Sequence, residues 1–261
     1  MGAIQGPPNL TAAIESSRDV AEVGAATRQV AAALGFDHFL FGFRVPLSFT
    51  KPCQFILSGY PRAWRERYDQ QSYLAIDPVL TRALGSVIPF AWDELDKSDP
   101  AVARLFEEAA QFGLRHGFSV PVHGAHGEGG VLSLARERPL PVTAAERQQL
   151  FQQAQWFTAV LHQKLLQLVF KDRLPLRRAQ LLTRRERECL RFAADGLSAP
   201  DIARNMNIAE RTVVFHLKHA EQKLGAKRRQ HAVARAVAMG QVEPGCYPAR
   251  FSESAQFIEL N

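Results

Sequence analysis

Tyr60, Trp64 and Tyr68 recur every four residues, so a helix carries all three on one face. Asp77 follows in a mostly apolar stretch, Trp92 comes after "VIPFA", and Ser133 alternates with apolar neighbours in "GGVLSLAR". An apolar pocket that fixes a small molecule with a few hydrogen bonds uses such a set. A plain core uses it too: aromatic stripes pack, an Asp before Pro caps a helix, and a strand Ser is satisfied by backbone. The residues by themselves leave both readings open. No catalytic set accompanies them. The histidines are scattered, and no nucleophile–base pair, metal cluster or phosphate loop falls in register. "GAHGEGG" is a turn rather than a dinucleotide fingerprint. No catalytic residue, metal or cofactor is expected, and the chain is not read as an enzyme.

A second constellation lies in "IAERTVVFHLKHAEQKLG", residues 208–225. At ~100° per residue, Val213, Leu217, Ala220 and Leu224 form one narrow stripe that must face a core. Arg211, Phe215, Lys218 and Gln222 then point the other way, flanked by Val214 and His219. Cations, an aromatic ring and an amide are what a helix needs in the major groove of DNA. Thr212 and His216 are placed to donate to phosphates. Lys227 and Arg228, in the basic run before the next helix, are expected to touch phosphates, which position without specifying. A solvated helix face and a solvated basic turn are the bland alternatives.

These side chains need elements to hold them. Residues 10–34 have helical spacing up to the stop at Leu34-Gly35. "HFLFGFRV" (38–45) and "QFILSG" (54–59) read as strands. Pro61 opens a helix with the aromatic stripe, Asp77 caps another that Pro78 starts, and 99–113 is a third. Residues 117–137 read as a hairpin, and Thr143 caps a long helix over 144–169. This order predicts an α+β domain, an antiparallel sheet layered between helices, over residues 1–170. A basic, proline-broken linker follows at 171–181. Residues 182–241 read as an all-α four-helix unit. Thr183 and Glu186 form a capping box, Ser198 caps the second helix, and the spacing is that of a helix-turn-helix. The tail 242–261 has no assignable structure.

Charge separates the same two parts. The 261 residues hold 32 Lys+Arg and 26 Asp+Glu, a net +6. Residues 171–240 contain 16 Lys+Arg against 7 Asp+Glu, a local +9, whereas the rest contains 16 against 19, or −3. A basic module on a mildly acidic one points to a polyanion partner for the module. No signal peptide or membrane-spanning run is read, and Cys53, Cys189 and Cys246 fit a reducing cytosol.

The stretch "LLTRRERECLRFAADGLSAPDIARNMNIAERTVVFHLKHAEQKLGAKRRQHAVARA" resembles the DNA-binding domain of the LuxR family. That family's recurrent Glu, Leu and Gly fall on Glu186, Leu190 and Gly196. Upstream, "YPRAWRERYDQQSYLAIDPVL", "IPFAWDEL", "FEEAAQFGLRHGFSVPVHG" and "GEGGVLSL" are similar to the autoinducer-binding domain of LuxR-type quorum-sensing regulators. Six positions that recur there fall on Trp64, Tyr68, Asp77, Pro78, Trp92 and Gly117.

The resemblance implies a cytoplasmic regulator without a cofactor that binds an N-acyl-homoserine lactone. It implies as partners a second copy of the chain, a double-stranded DNA promoter and RNA polymerase, and no membrane. Trp64 would donate to the lactone carbonyl, Asp77 accept from the amide N–H, and Tyr60 or Ser133 donate to the amide carbonyl. Tyr68 and Trp92 would wall the ligand, Arg65 reach a 3-oxo group, and Leu40, Phe41, Ile56, Leu80, Leu105 and Leu114 line the acyl channel. Val79 stands where some relatives have a hydroxyl residue near the amide. An unpaired regulator answering to another small molecule, or to none, is the alternative.

Overall fold

A computed structural model describes residues 11–45, 53–124, 127–141, 143–169 and 182–242. The expected linker at 171–181, and the expected tail apart from Val242, lie outside these described residues, as does Phe170. The chain forms two compact units, divided between Leu174 and Pro175. Each is described by itself.

The first unit opens with two helices where the apolar periodicity predicts one, α1 (Ala12–Ser16) and α2 (Val20–Ala33). Local polar side chains cause the break. The Ser16 and Ser17 hydroxyls turn back onto the Ala13 carbonyl, and the Asp19 carboxylate accepts from the Glu22 N–H to start α2. Five antiparallel strands follow in the spatial order β2-β1-β5-β4-β3: β1 (His38–Val45), β2 (Cys53–Ser58), β3 (Phe90–Ala91), β4 (His116–His123) and β5 (Gly129–Arg136). Between β2 and β4 come α3 (Arg62–Gln70), α4 (Pro78–Leu84) and α5 (Pro100–Ala110). Short 3-10 turns cover Tyr73–Ala75 and Trp92–Glu94. The long helix α6 (Ala144–Val169) closes the unit. The strand Phe90–Ala91 and both 3-10 turns are too short to leave a periodic signal.

The sheet is covered on both faces over β1, β4 and β5, whereas β2 leaves Gln54, Ile56 and Ser58 exposed, and strand alternation allots its side chains. Phe39, Phe41, Phe43 and Val45 of β1, Phe118 and Val120 of β4, and Leu132 and Leu134 of β5 meet α1, α2 and α6 in one core. Val131 and Ala135 of β5 join Trp64, Tyr73, Val79, Phe90, Trp92, Leu105 and Leu114 in a second core beneath α3, α4 and α5. The expected sheet layered between helices is the observed one.

The second unit contains α7 (Arg184–Ala194), α8 (Ala199–Met206), α9 (Glu210–Lys223) and α10 (Arg229–Ala238). The Thr183–Glu186 capping box is formed in both directions, and Ser198 and Asp201 form a second. Asn207 adopts a left-handed conformation (φ 51°) and turns the chain from α8 into α9. Glu186, 3% exposed, also accepts from Lys223 at 2.8 Å, which ties the first helix to the third.

His162 on α6 lies in the first core, with its ring 5.3 Å from Phe43 and 6.1 Å from Phe41. Neither ring nitrogen has a hydrogen-bond partner. Burial lowers its pKa below the ordinary histidine value, Glu128 opposes this, and His123 adds to it. The unfolded chain therefore takes up this proton first as pH falls. The neutral ring's contribution is complete above about pH 6.5 and declines below it. The melting temperature is expected to fall as pH drops from about 7.5 to about 5.5, and His162→Leu to flatten that fall. Equal slopes in the variant and the parent would place the acid sensitivity elsewhere.

Candidate functional site

One row of residues runs straight across the sheet. Ser58 pairs with Leu40, Leu40 with Ser133, Ser133 with Ser119, and Ser119 with Phe90. Ser133 lies between Val131 and Ala135 on β5, so the row faces the second core. Ser119 and Ser133 are buried in an otherwise apolar layer, with Ser58 exposed at its edge, which is the pattern of a site that fixes a ligand with few hydrogen bonds.

Helix α3 brings Trp64 and Tyr68 of the expected stripe over this row, whereas Tyr60 precedes the helix, whose N-cap is Pro61. Trp64 is 3% exposed. Its ring lies 5.9 Å from Tyr68, 6.0 Å from Tyr73 and 5.7 Å from Phe112. Arg67, three residues after Trp64, makes a bidentate pair with Glu108 of α5 at 2.8 and 2.7 Å. That pair anchors the aromatic wall to its neighbouring helix and holds the Glu108 carboxyl down at about 2.

Asp77 is the charged centre. Its Oδ2 accepts from the Tyr68 hydroxyl at 2.9 Å and its Oδ1 from the Val79 N–H at 2.8 Å. Each carboxylate oxygen retains a further lone pair for another donor. Burial raises the Asp77 pKa, and these two hydrogen bonds only partly oppose that rise. Tyr60 shares the site: burial and Asp77 raise its phenol pKa, while Ser133 and Arg65 oppose the rise. Tyr68 is raised likewise, by burial first and Asp77 second. Both phenols therefore keep their protons and act as donors.

Trp92 completes the wall, 6.0 Å from Phe106. Its indole Nε1–H donates to Ser119 Oγ at 2.9 Å, and Ser119 Oγ lies 2.9 Å from Ser133 Oγ. Gly117 permits this position. A Cβ there would stand 2.6 Å from the Leu134 carbonyl oxygen and 2.9 Å from the Trp92 ring.

The structure thus brings Tyr60, Trp64, Arg65, Tyr68, Asp77, Trp92 and Ser133 to one side of the sheet. Leu80, Leu105 and Leu114 pack in the same cluster, Leu40 shares the Ser133 row, and Ile56 is an exposed rim position at 48%. Phe41 does not belong with them. It is one residue from Leu40, so strand alternation turns it into the opposite core, against His162. Sequence reading missed Ser119, Tyr73, Phe106 and Phe112. Ser119 carried the same signal as Ser133, a hydroxyl among alternating apolar neighbours, whereas the other three look like any core aromatic.

In the second unit, Val213, Leu217, Ala220 and Leu224 of α9 and its cap are buried as the wheel requires. Arg211, Phe215 and Lys218 are exposed, and Thr212 and His216 half-buried. Phe215 is 54% exposed and packs against the His219 ring at 4.2 Å. Val214 is displaced from the expected contact set toward the core, which it partly joins. Arg184, Arg185, Arg204 and Lys223 are paired with acids. Arg211, Lys218, Lys227 and Arg228 make no ion pair among the described residues, so the exposed face of α9 and the turn after it keep their positive charge.

Family comparison agrees with both surfaces. Residues 19–165 match the autoinducer binding domain, and residues 180–236 match the luxR family of bacterial regulatory proteins. The chain belongs to the LuxR family. It is 34% identical over 213 residues to the transcriptional activator protein VanR of Vibrio anguillarum, covering 81% of this chain and 87% of that one. It is also 34% identical over 209 residues to the quorum-sensing regulator RhlR of Pseudomonas aeruginosa, covering 79% and 84%. Escherichia coli SdiA has a similar crystal structure, with a TM-score of 0.68 at 27% identity over 88% of this chain and 95% of that one. SdiA in complex with octanoyl-rac-glycerol is similar at a TM-score of 0.65 and 27% identity, over 87% and 91%. This LuxR-family chain is therefore a quorum-sensing transcriptional regulator with an autoinducer-binding domain, and its relatives are regulators rather than enzymes. Among its described residues, no helix is long and apolar enough to cross a membrane.

Gly117→Ala is expected to force the Trp92 ring and the adjoining strand apart, lowering stability by about 1–3 kcal/mol. The melting temperature of the variant reads this directly. An unchanged value would mean that Trp92 moves without cost.

Proposed function

We propose that the second core binds an N-acyl-homoserine lactone and that this binding enables the chain, as a dimer, to occupy a two-fold DNA operator and activate transcription. The observation that carries the ligand reading is the half-buried Asp77 carboxylate, fixed by Tyr68 and Val79 beside the Tyr60 and Ser133 hydroxyls. An acceptor beside hydroxyl donors matches a secondary amide, whose N–H and C=O lie on adjacent atoms. The ionised carboxylate takes the amide N–H, and Tyr60 and Ser133 meet the amide carbonyl. Trp64 donates its indole N–H to the lactone carbonyl, and Tyr68 and Trp92 wall the head group. Leu40, Leu80, Leu105 and Leu114 take the acyl chain, with Arg65 toward a 3-oxo group. Val79 supplies its backbone N–H to Asp77 but no hydroxyl, so its side chain gives the amide nothing.

The ligand fills part of a core, so it stabilises the folded unit by mass action. Helix α6 offers a surface to a second copy. Trp156 is 66% exposed on it, and Gln155 donates to the Val87 carbonyl of the loop after α4, where Val87 and Ile88, with Leu84 at the end of α4, are also exposed. Two α9 helices then face successive half-sites, with Arg211, Thr212, Phe215, His216 and Lys218 toward DNA and Lys227 and Arg228 on phosphates.

One observation favours a second reading. SdiA, similar over most of both chains, is solved with octanoyl-rac-glycerol. An acylglycerol has an ester carbonyl for the hydroxyls but presents hydroxyl donors, not an amide N–H, to Asp77. The deciding experiment expresses the protein with acyl-homoserine lactones of graded chain length, with their 3-oxo forms, or with octanoylglycerol, and records soluble yield and melting temperature. A rise with one lactone, weakened about 10- to 100-fold in affinity by Asp77→Asn, supports the amide reading. A response to octanoylglycerol but to no lactone would replace it.

For the DNA face, Phe215→Ala is expected to leave stability within ~0.5 kcal/mol, because the ring is largely exposed. It should abolish a thymine preference at one position of sites selected from random duplexes. Lys218→Ala should weaken binding to the same sites. Unaltered affinity and preference in both variants would remove α9 from the interface.

A further inference from the structure

The hydrogen bonds behind Ser133 have a direction. The Trp92 indole N–H only donates, and Ser119 Oγ receives it at 2.9 Å. Ser119 is fully buried, at 0% exposure, and its Oγ also stands 2.9 Å from Ser133 Oγ. Either hydroxyl can be the donor in that second contact. If Ser133 donated, the Ser119 proton would have no acceptor among the described residues, which is costly for a buried hydroxyl. The favourable arrangement therefore runs one way, from Trp92 to Ser119 to Ser133. The β4–β5 register places the two serines directly opposite each other, so the backbone fixes their spacing.

We propose that Ser119 is a positioning residue that sets the hydroxyl polarity of the ligand site. With one lone pair filled by Trp92, Ser119 gives its proton to Ser133. Ser133, with one of its two lone pairs thus filled, turns its own proton outward to the ligand. The site accordingly selects ligands that present an acceptor, an acyl carbonyl, at this point. Ser119 touches no ligand in this scheme; it acts through Ser133. The inference rests on the ligand reading above and adds to it a residue and a reason for selectivity.

The test uses the full chain and two probes. One is the acyl-homoserine lactone that stabilises the parent protein most. The other is its thioamide analogue, whose sulfur is a poor acceptor while the N–H is retained. The parent is expected to prefer the amide. Ser119→Ala should lose about tenfold in amide affinity and narrow the amide-to-thioamide ratio. Ser119→Thr, which keeps the hydroxyl, should recover both. Trp92→Phe removes the donor that orders the relay while leaving a ring in place, and it should narrow the ratio too. Ser119→Ala combined with Ser133→Ala should lose no more than Ser133→Ala does by itself.

A Ser119→Ala protein with a lowered melting temperature but an unaltered ratio would overturn the proposal, since a spacer role predicts that pattern. So would a ratio unmoved by Trp92→Phe. If the parent itself binds neither the lactones nor octanoylglycerol, the ligand reading fails and the role of Ser119 fails with it. That failure shows in the parent, whereas failure of the relay shows only in the variants.

Discussion

An antiparallel sheet whose central strands are covered on both faces has to supply two cores from one set of strands, and most of the sensor unit follows from that constraint. Alternation assigns each side chain to a face with no intermediate choice. In β1, "HFLFGFRV" sends its three phenylalanines and Val45 to α1, α2 and α6, leaving Leu40 and Gly42 for the other side. In β5, Leu132 and Leu134 go one way and Val131, Ser133 and Ala135 the other. The first face is packed by large rings, with Phe36, Phe39, Phe41 and Phe118 essentially inaccessible. The second has small or polar strand residues, Gly117, Ser119 and Ser133, opposite large aromatics from α3 and the 3-10 turn at Trp92. Small groups on the sheet and large, hydrogen-bonding groups on the cover make that second face suited to a guest molecule.

The polar groups of that face are individually costly and jointly consistent. A buried carboxylate is unfavourable unless hydrogen-bonded, and Asp77 has two donors from its own neighbourhood. One of them, the Val79 N–H, is also an unsatisfied group at the start of α4, so the cap that begins the helix orients the carboxylate as well. The capping and binding readings of Asp77 are therefore the same arrangement. Pro78 reinforces it by fixing the first turn of α4. The raised pKa of Asp77 shows that burial outweighs these bonds, which leaves the carboxylate short of donors and able to gain from one more.

Legibility in the sequence followed the length and regularity of each signal. The long helix 144–169, the strand 38–45 and the helix 184–194 were readable because several turns or alternations repeat without interruption. The wheel of α9 was readable for the same reason, since four apolar positions fix the rotation of a 14-residue helix. Failures came where local polar chemistry competes with periodicity, as at Ser16–Asp19, or where an element is shorter than its own period, as at Phe90–Ala91. Phe41 was misplaced for a different reason. Residue type marks it as apolar, and only strand register decides which of two apolar layers receives it. The family resemblance named most of the ligand-site residues. It did not name Ser119, whose significance lies in a cross-strand pairing that one strand's sequence cannot show.

The two units solve the problem of exposed chemistry in opposite ways. In the sensor unit, hydrogen-bonding groups are withdrawn from water, where each bond counts for more and each unmade one costs more. In the helical unit, Arg211, Phe215 and Lys218 remain in water, while three of the acids are paired with other cations. Glu188 pairs with Arg184 and Arg185, Asp201 with Arg204, and Glu186 with Lys223. An acid within reach of Lys218 or Arg211 would have to be displaced before a phosphate or base could bind. Glu210 and Glu221 lie on the same helix, but neither forms an ion pair with these cations among the described residues, which keeps that cost out of the proposed DNA association. The buried Glu186–Lys223 pair meanwhile fastens the capping box of α7 to the C-terminal end of α9, so the orientation of the exposed face is set by a bond far from that face. Salt weakens phosphate attraction strongly and this enclosed pair only slightly. Raising ionic strength is therefore expected to weaken the proposed DNA contacts without loosening α9.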